Sequence, residues 1–359
     1  MASNSPNVVS GVLKNSTTWS ISPSSNENYV PSRASCEWTH HVVDKLDIRF
    51  VKDDIFNILS SRWCLIRLSS NALAKVDTLV NACDFEFDHE SLNGIPDRKG
   101  TVEKLTKKWH PDKNQMMTLK VNEGEGMINM HWLFVKLHEI CFCLQDIITK
   151  TPKKKISEWK YQILFEKLLQ LFGFNTLSQP FISMEKTLIM GHTCSSRADI
   201  ICSRFDRQTD TPVICVCEVI SENDSMPYPP MKKQKTDTED KSLPAPSPKS
   251  SIGDHASWTQ HIGELLVYLQ KSFRCEGILG ITIDKTWVRF THLEVPKATW
   301  RKMTERPANR PGPLKLDWEE RPVFCYSDRY NYLNREDRKT IFKALMTIRK
   351  MQTEYEKTQ

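Results

Sequence analysis

The order of secondary-structure signals between residues 156 and 300 restricts the fold more than any other feature of the chain. Helical spacing governs Ile156 to Phe172, with Trp159, Ile163, Leu164, Leu168 and Leu171 on one apolar face. Three strand-like runs follow, at 181–190, "RADIICSRF" (197–205) and "PVICVCEVI" (212–220). A helix over 257–272, with Ser257 as its cap, comes next, and then "GILGITI" and "WVRFTHLEV", which form a hairpin about Asp284-Lys285. Helix, three strands, helix and hairpin describe an α/β domain with a small mixed sheet. Residues 221–256 interrupt it with Pro, Ser, Lys and Asp and almost no apolar content, which reads as a disordered insertion.

The rest of the chain divides by composition. Residues 1–35 are rich in Ser and Asn, without periodicity, and read as a disordered tail. Residues 36–71 regain apolar side chains and are folded material without an assigned module. Helical spacing then returns over 72–85, 98–109 and 127–148. Beyond the hairpin, 301–323 is Pro-rich loop and 335–355 a charged amphipathic helix. A length of 359 residues suits two or three domains, and a net charge of +6 permits an acidic partner without implying nucleic acid. No apolar run is long enough to span a bilayer, and no charged start followed by an apolar stretch opens the chain. The 11 cysteines are odd in number and include no C-x-x-C pair. Cys141/Cys143 and Cys215/Cys217 sit inside apolar runs, as core thiols do, and a reducing compartment, nucleus or cytosol, fits best.

Two constellations carry chemistry. In "VEKLTKKWHPDKN" (102–114), His110-Pro111-Asp112 ends a basic helix. Val102, Leu105 and Trp109 form one face of that helix, and Lys104, Lys107 and Lys108 the other. After a polar loop, "FVKLHEICFCLQD" (134–146) spaces Phe134, Leu137, Ile140, Cys141 and Leu144 as an apolar face able to pack back on it. Pro111 fixes its backbone and stops the helix, presenting His110 and Asp112 at a rigid tip. Over residues 72–150 this pattern resembles a J domain, a helical hairpin. The resemblance implies a co-chaperone that stimulates ATP hydrolysis by a seventy-kilodalton heat-shock chaperone and needs no cofactor. The contacts would be His110, Pro111, Asp112, Lys104, Lys107, Lys108 and Lys113, with the C-terminal domain directing the chaperone to a client protein.

The second constellation is acidic. Asp199 lies in the second strand-like run and Glu218 near the end of the third, and two carboxylates on adjacent strands suit a hard cation. With the element order, they resemble the PD-(D/E)xK nuclease-like fold, which implies a magnesium ion at Asp199 and Glu218. Gln260 and Tyr268 in "QHIGELLVYL" resemble the Q…Y helix of its RecB-like subgroup, and Glu166 or Glu158 could add a carboxylate. The family's lysine two residues after the glutamate is absent, because Ile220 stands there. Lys271 is the substitute within reach of the following helix. The alternatives to a co-chaperone are therefore a metal-dependent nuclease or a catalytically dead derivative that binds nucleic acid or protein. Within the insertion, Lys232, Lys233 and Lys235 beside prolines form a candidate nuclear import signal, and Ser247-Pro248 a candidate phosphorylation site.

Overall fold

A computed structural model describes residues 34–35, 38, 40–63, 68–82, 97–109, 130–149, 156–203, 212–220, 255–274, 276–307 and 313–358. They belong to one compact unit. Its strands are β1 (Arg49–Lys52), β2 (Asn175–Ser178), β3 (Glu185–Ile189), β4 (His192–Ser196), β5 (Ile200–Ser203), β6 (Val213–Val219), β7 (Gly277–Asp284), β8 (Trp287–Glu294), β9 (Val323–Tyr326) and β10 (Tyr330–Asn331). Its helices are α1 (His40–Lys45), α2 (Ile55–Trp63), α3 (Ser70–Ala82), α4 (Arg98–Trp109), α5 (Met130–Thr149), α6 (Glu158–Leu171), α7 (His255–Tyr268), α8 (Lys297–Thr304) and α9 (Arg335–Thr358).

The main sheet has eight strands in the order β1-β9-β8-β7-β6-β5-β2, with β10 added against β8. It is mixed. β1 runs parallel to β9 and β6 parallel to β7, while the other pairs are antiparallel. β3 and β4 form a separate two-stranded hairpin. All seven residues of β6 are buried, as a central strand covered on both faces requires.

The small sheet expected from the sequence is thus a large one. The segments given no place in it supply β1, β9 and β10. β1 is a short edge strand whose "RFVK" alternates half-buried with exposed residues, and "VFCY" of β9 is only four residues long. Similarly, β2 ("NTLS") and β4 ("HTCSS") lie in polar stretches that carry little strand signal, and the run expected at 181–190 begins at Glu185. The hairpin of β7 and β8 forms as expected, its turn at Lys285-Thr286, with Lys285 in the left-handed region at φ 59°.

Each face of the sheet carries helices. On one, Val42 and Val43 of α1, Leu46 just after it, and Ile262, Leu265 and Leu266 of α7 cover Val213, Val216, Ile278 and Phe324. On the other, Val76 of α3, Leu137 and Leu144 of α5, Leu164 and Leu168 of α6 and Phe342 of α9 share one core with Cys202, Cys217 and Ile281. The chain therefore enters the α/β body with α1, β1 and α2, leaves it for α3, α4 and α5, and re-enters at α6. α3 packs against α9, α4 against α5, and α5 against α6. Polar contacts tie α5 to α6. Lys136 Nζ, on a buried side chain, donates to Glu139 Oε2 and Gln170 Oε1, each at 2.9 Å, and Lys160 pairs with Asp146 at 2.6 Å. Among the described residues, no helix is long and apolar enough to cross a membrane.

Candidate functional site

The antiparallel register of β5 and β6 pairs Ile200 with Cys217, so Asp199, one residue before β5, stands across from Glu218. Glu218 is buried and faces α7, on the side of the sheet that Val216 also faces. Gln260, Glu264 and Tyr268 recur every four residues on α7 and so share one helical face. That face meets the strand ends. The Gln260 amide donates a short hydrogen bond to Glu218 Oε1, and Glu264 and Glu218 are in side-chain hydrogen-bond contact. Asp199 Oδ2 accepts from the Val219 backbone N–H at 2.8 Å, and Oδ1 accepts from the Gln179 amide at 3.1 Å. Asp199 also meets Glu218 side chain to side chain. Three carboxyls from three elements thus form one continuous chain, Asp199 to Glu218 to Glu264.

Burial pushes all three acids above their ordinary range. Glu218 rises well above it through desolvation and then through the neighbouring charges of Glu264 and Asp199. Desolvation lifts Glu264 to about 8. Asp199 is raised by burial against the lowering pull of the Val219 N–H and Glu218. Glu158, in the first turn of α6, adds a weaker repulsion at Glu218.

The other residues singled out in the sequence lie elsewhere. Glu166 accepts hydrogen bonds from Gln170 and Thr176, on the way from α6 to β2, so the helix acid that faces the cluster is Glu158. Lys271 sits in a 3-10 turn just after α7 and pairs with Glu185 of β3 at 2.7 Å. It does not restore the charge missing at Ile220, whose backbone N–H is bonded to the Ile283 carbonyl. Tyr268 does join the site, with its hydroxyl accepting from the Ala198 N–H at 3.4 Å. Glu264 escaped the sequence reading, although its i, i+4 spacing from both Gln260 and Tyr268 marks it. Cys215 and Cys217 are buried free thiols, raised by desolvation, and Cys141 is lifted to about 11.

Three carboxylates have the chemistry for a hard cation. Here, however, they are turned onto one another and onto amide donors, and among the described residues no group of three or more His, Cys, Asp or Glu is arranged to hold a metal ion. The side chains as placed do not fit the ion that the nuclease-like resemblance implies. In the helical segment, Lys104 is exposed on α4, whereas His110, Pro111, Asp112 and Lys113, the side chains of Lys107 and Lys108, and Lys232, Lys233 and Lys235 lie outside the described residues. The chain matches no family model and no curated protein sequence.

Proposed function

We propose that this chain is a co-chaperone of the J-domain type, in which α4, the His110-Pro111-Asp112 tip and α5 engage a seventy-kilodalton heat-shock chaperone while the α/β body directs it to a client. The observation that carries this reading is the helix pair itself. α4 and α5, which flank the tip in sequence, pack on each other, and α5 is fastened to α6 by Lys136, Lys160 and a shared core. A helix pair fastened in this way keeps a fixed orientation to the body, so a client bound to the body would reach the chaperone in one geometry. Lysines on the exposed side of α4 would speed encounter with an acidic partner. Import through Lys232, Lys233 and Lys235 belongs to the same proposal, and nuclear accumulation that persists after all three become Ala would remove it.

The test uses the intact chain, because α5 buries its apolar face against the body. Single-turnover ATP hydrolysis by the chaperone should quicken with the wild-type protein and stay at its basal rate with His110→Gln, whose circular dichroism should be unchanged. Equal stimulation by both proteins would sink the assignment. The nuclease alternatives rest on Asp199 and Glu218, which have no lysine at position 220 and none from Lys271. We infer no cleavage of DNA or RNA above background with magnesium or manganese. Cleavage lost in both Asp199→Asn and Glu218→Gln would reverse that inference.

A further inference from the structure

We propose that the β3–β4 hairpin and α8 form a docking surface for an anionic lipid membrane, which takes up Phe181, Met184 and Leu188 between its headgroups while the surrounding lysines and arginines meet the lipid charge. The inference is independent of the co-chaperone reading. It starts from the register of the hairpin. Met190 and Gly191, at φ 54° and 79°, make a two-residue turn with both residues in the left-handed region, which matches the twist of a tight hairpin. Ile189 then pairs with His192, Leu188 with Thr193 and Lys186 with Ser195. Side chains alternate along a strand, so one face is given to burial: Thr187, Ile189, Cys194 and Ser196 turn inward. The other face of β3 carries Lys186 and Leu188, and Met184 continues it one residue before the strand.

That outer face keeps large apolar side chains in water. Phe181 is 83% exposed, Met184 50% and Leu188 45%, although Ile182 and Ile189 in the same stretch are buried in the core beneath. One short segment thus anchors the hairpin and presents three apolar side chains outward. A groove would cover a side chain on two sides, and a Phe left 83% exposed projects instead from a convex surface. Projecting apolar side chains suit a soft interface that yields to them. A folded protein partner would need a matching pocket for each.

The charge around these side chains is predominantly positive. Lys186 lies between Met184 and Leu188 on the outer face, and Arg197 is exposed one residue past β4. α8 is fastened to the hairpin, with the Met190 N–H donating to the Met303 carbonyl at 2.7 Å, and it buries Thr299 and Met303. Its exposed side bears Lys297 and Arg301, one turn apart. Among the described residues, none of these four cations is held in an ion pair. Of the acids on these elements, Glu185 is engaged by Lys271 at 2.7 Å, and Glu305, just past α8, is exposed. Four such cations against one exposed acid complement an anionic surface, and each adds on the order of fivefold to affinity for it. Their aliphatic stems can lie along the apolar side chains while the charged ends reach the headgroups.

The experiment sediments the full chain with phosphatidylcholine vesicles made with and without phosphatidylserine. The protein should pellet with the anionic vesicles and stay in solution with the neutral ones. Salt should weaken the binding without abolishing it, since the apolar contact is not screened. Phe181→Ser combined with Leu188→Ser should weaken it on the order of tenfold or more. Lys186→Ala and Arg301→Ala should each cost about fivefold. Lys99→Ala, which removes the same charge from the exposed side of α4, should change nothing. Should the double Ser variant not fold, the three Lys and Arg variants carry the test. Equal losses in Lys99→Ala and Lys186→Ala would mean that net charge alone is read, and would overturn the proposal. So would failure to bind either vesicle, or full displacement by soluble glycerophosphoserine, which would mark a small-anion site. Capture by polyglutamate in place of anionic vesicles would assign the face to an acidic protein and refute the membrane.

Discussion

The helical segment α3–α5 and the α/β body are built by different rules. The body closes on itself, with β6 buried along its whole length and helices on both faces of the sheet. The helical segment has no such closure among the described residues. α4 packs on α5, but α3 packs on α9 and α5 on α6, so its apolar faces are completed partly by the body. A stretch that resembles an independent module in sequence is, in structure, an insertion between two parts of a domain and shares its core. The chemistry differs as well. Lys104, a proposed chaperone contact, is exposed on α4 and would act through encounter rate and be screened by salt, whereas the acid cluster is held above its ordinary titration range by burial.

Four perturbations would break or sharpen that contrast. The largest effect is expected from Trp38→Ala. The ring is buried against α7, and its loss should cost about 3–5 kcal/mol in a denaturant titration. A change below about 1 kcal/mol would mean that Trp38 does not belong to the body's core. Leu144→Ala comes next. Leu144 is fully buried in the core shared with α6 and the sheet, so the variant should lose about 2–5 kcal/mol and still unfold in a single transition. Two separated transitions, with the body's unaltered, would show that the helices fold on their own. Lys271→Ala removes a half-exposed ion pair and should cost no more than about 1 kcal/mol, without flattening the pH profile of the melt. A flattened profile would bring Lys271 back into the acid site. The smallest effect belongs to the segment after β6. Replacing residues 221–254 by a short Gly/Ser linker should leave the Tm within a few degrees of wild type, since loop-closure entropy changes slowly with length.

Legibility in the sequence follows the same division. The hairpin of β7 and β8 was readable because its strands are long and rich in β-branched residues and its turn is marked by Asp284-Lys285. Asp199, Glu218, Gln260 and Tyr268 were readable because strand order and helical spacing bring them together. The partner of Lys271 is not legible, because proximity along α7 says nothing about which acid a flexible ammonium will meet, and Glu185 lies on a hairpin off the main sheet. β1 and β9 were not readable as partners at all. Each is four residues long, and their pairing depends on contacts between nearly opposite ends of the chain.

That pairing has a consequence for how the protein is made. A ribosome delivers Arg49–Lys52 about 270 residues before the strand that receives them, Val323–Tyr326. Until then Phe50 and Val51 have no strand partner, and the sheet cannot be completed from its first edge. Vectorial folding from the N-terminus is therefore closed to this topology. The nascent chain must keep an unpaired, partly apolar edge from sticking to its neighbours while the intervening residues are made, so its yield in cells should depend on the holding capacity of the folding machinery more than on the final stability of the fold.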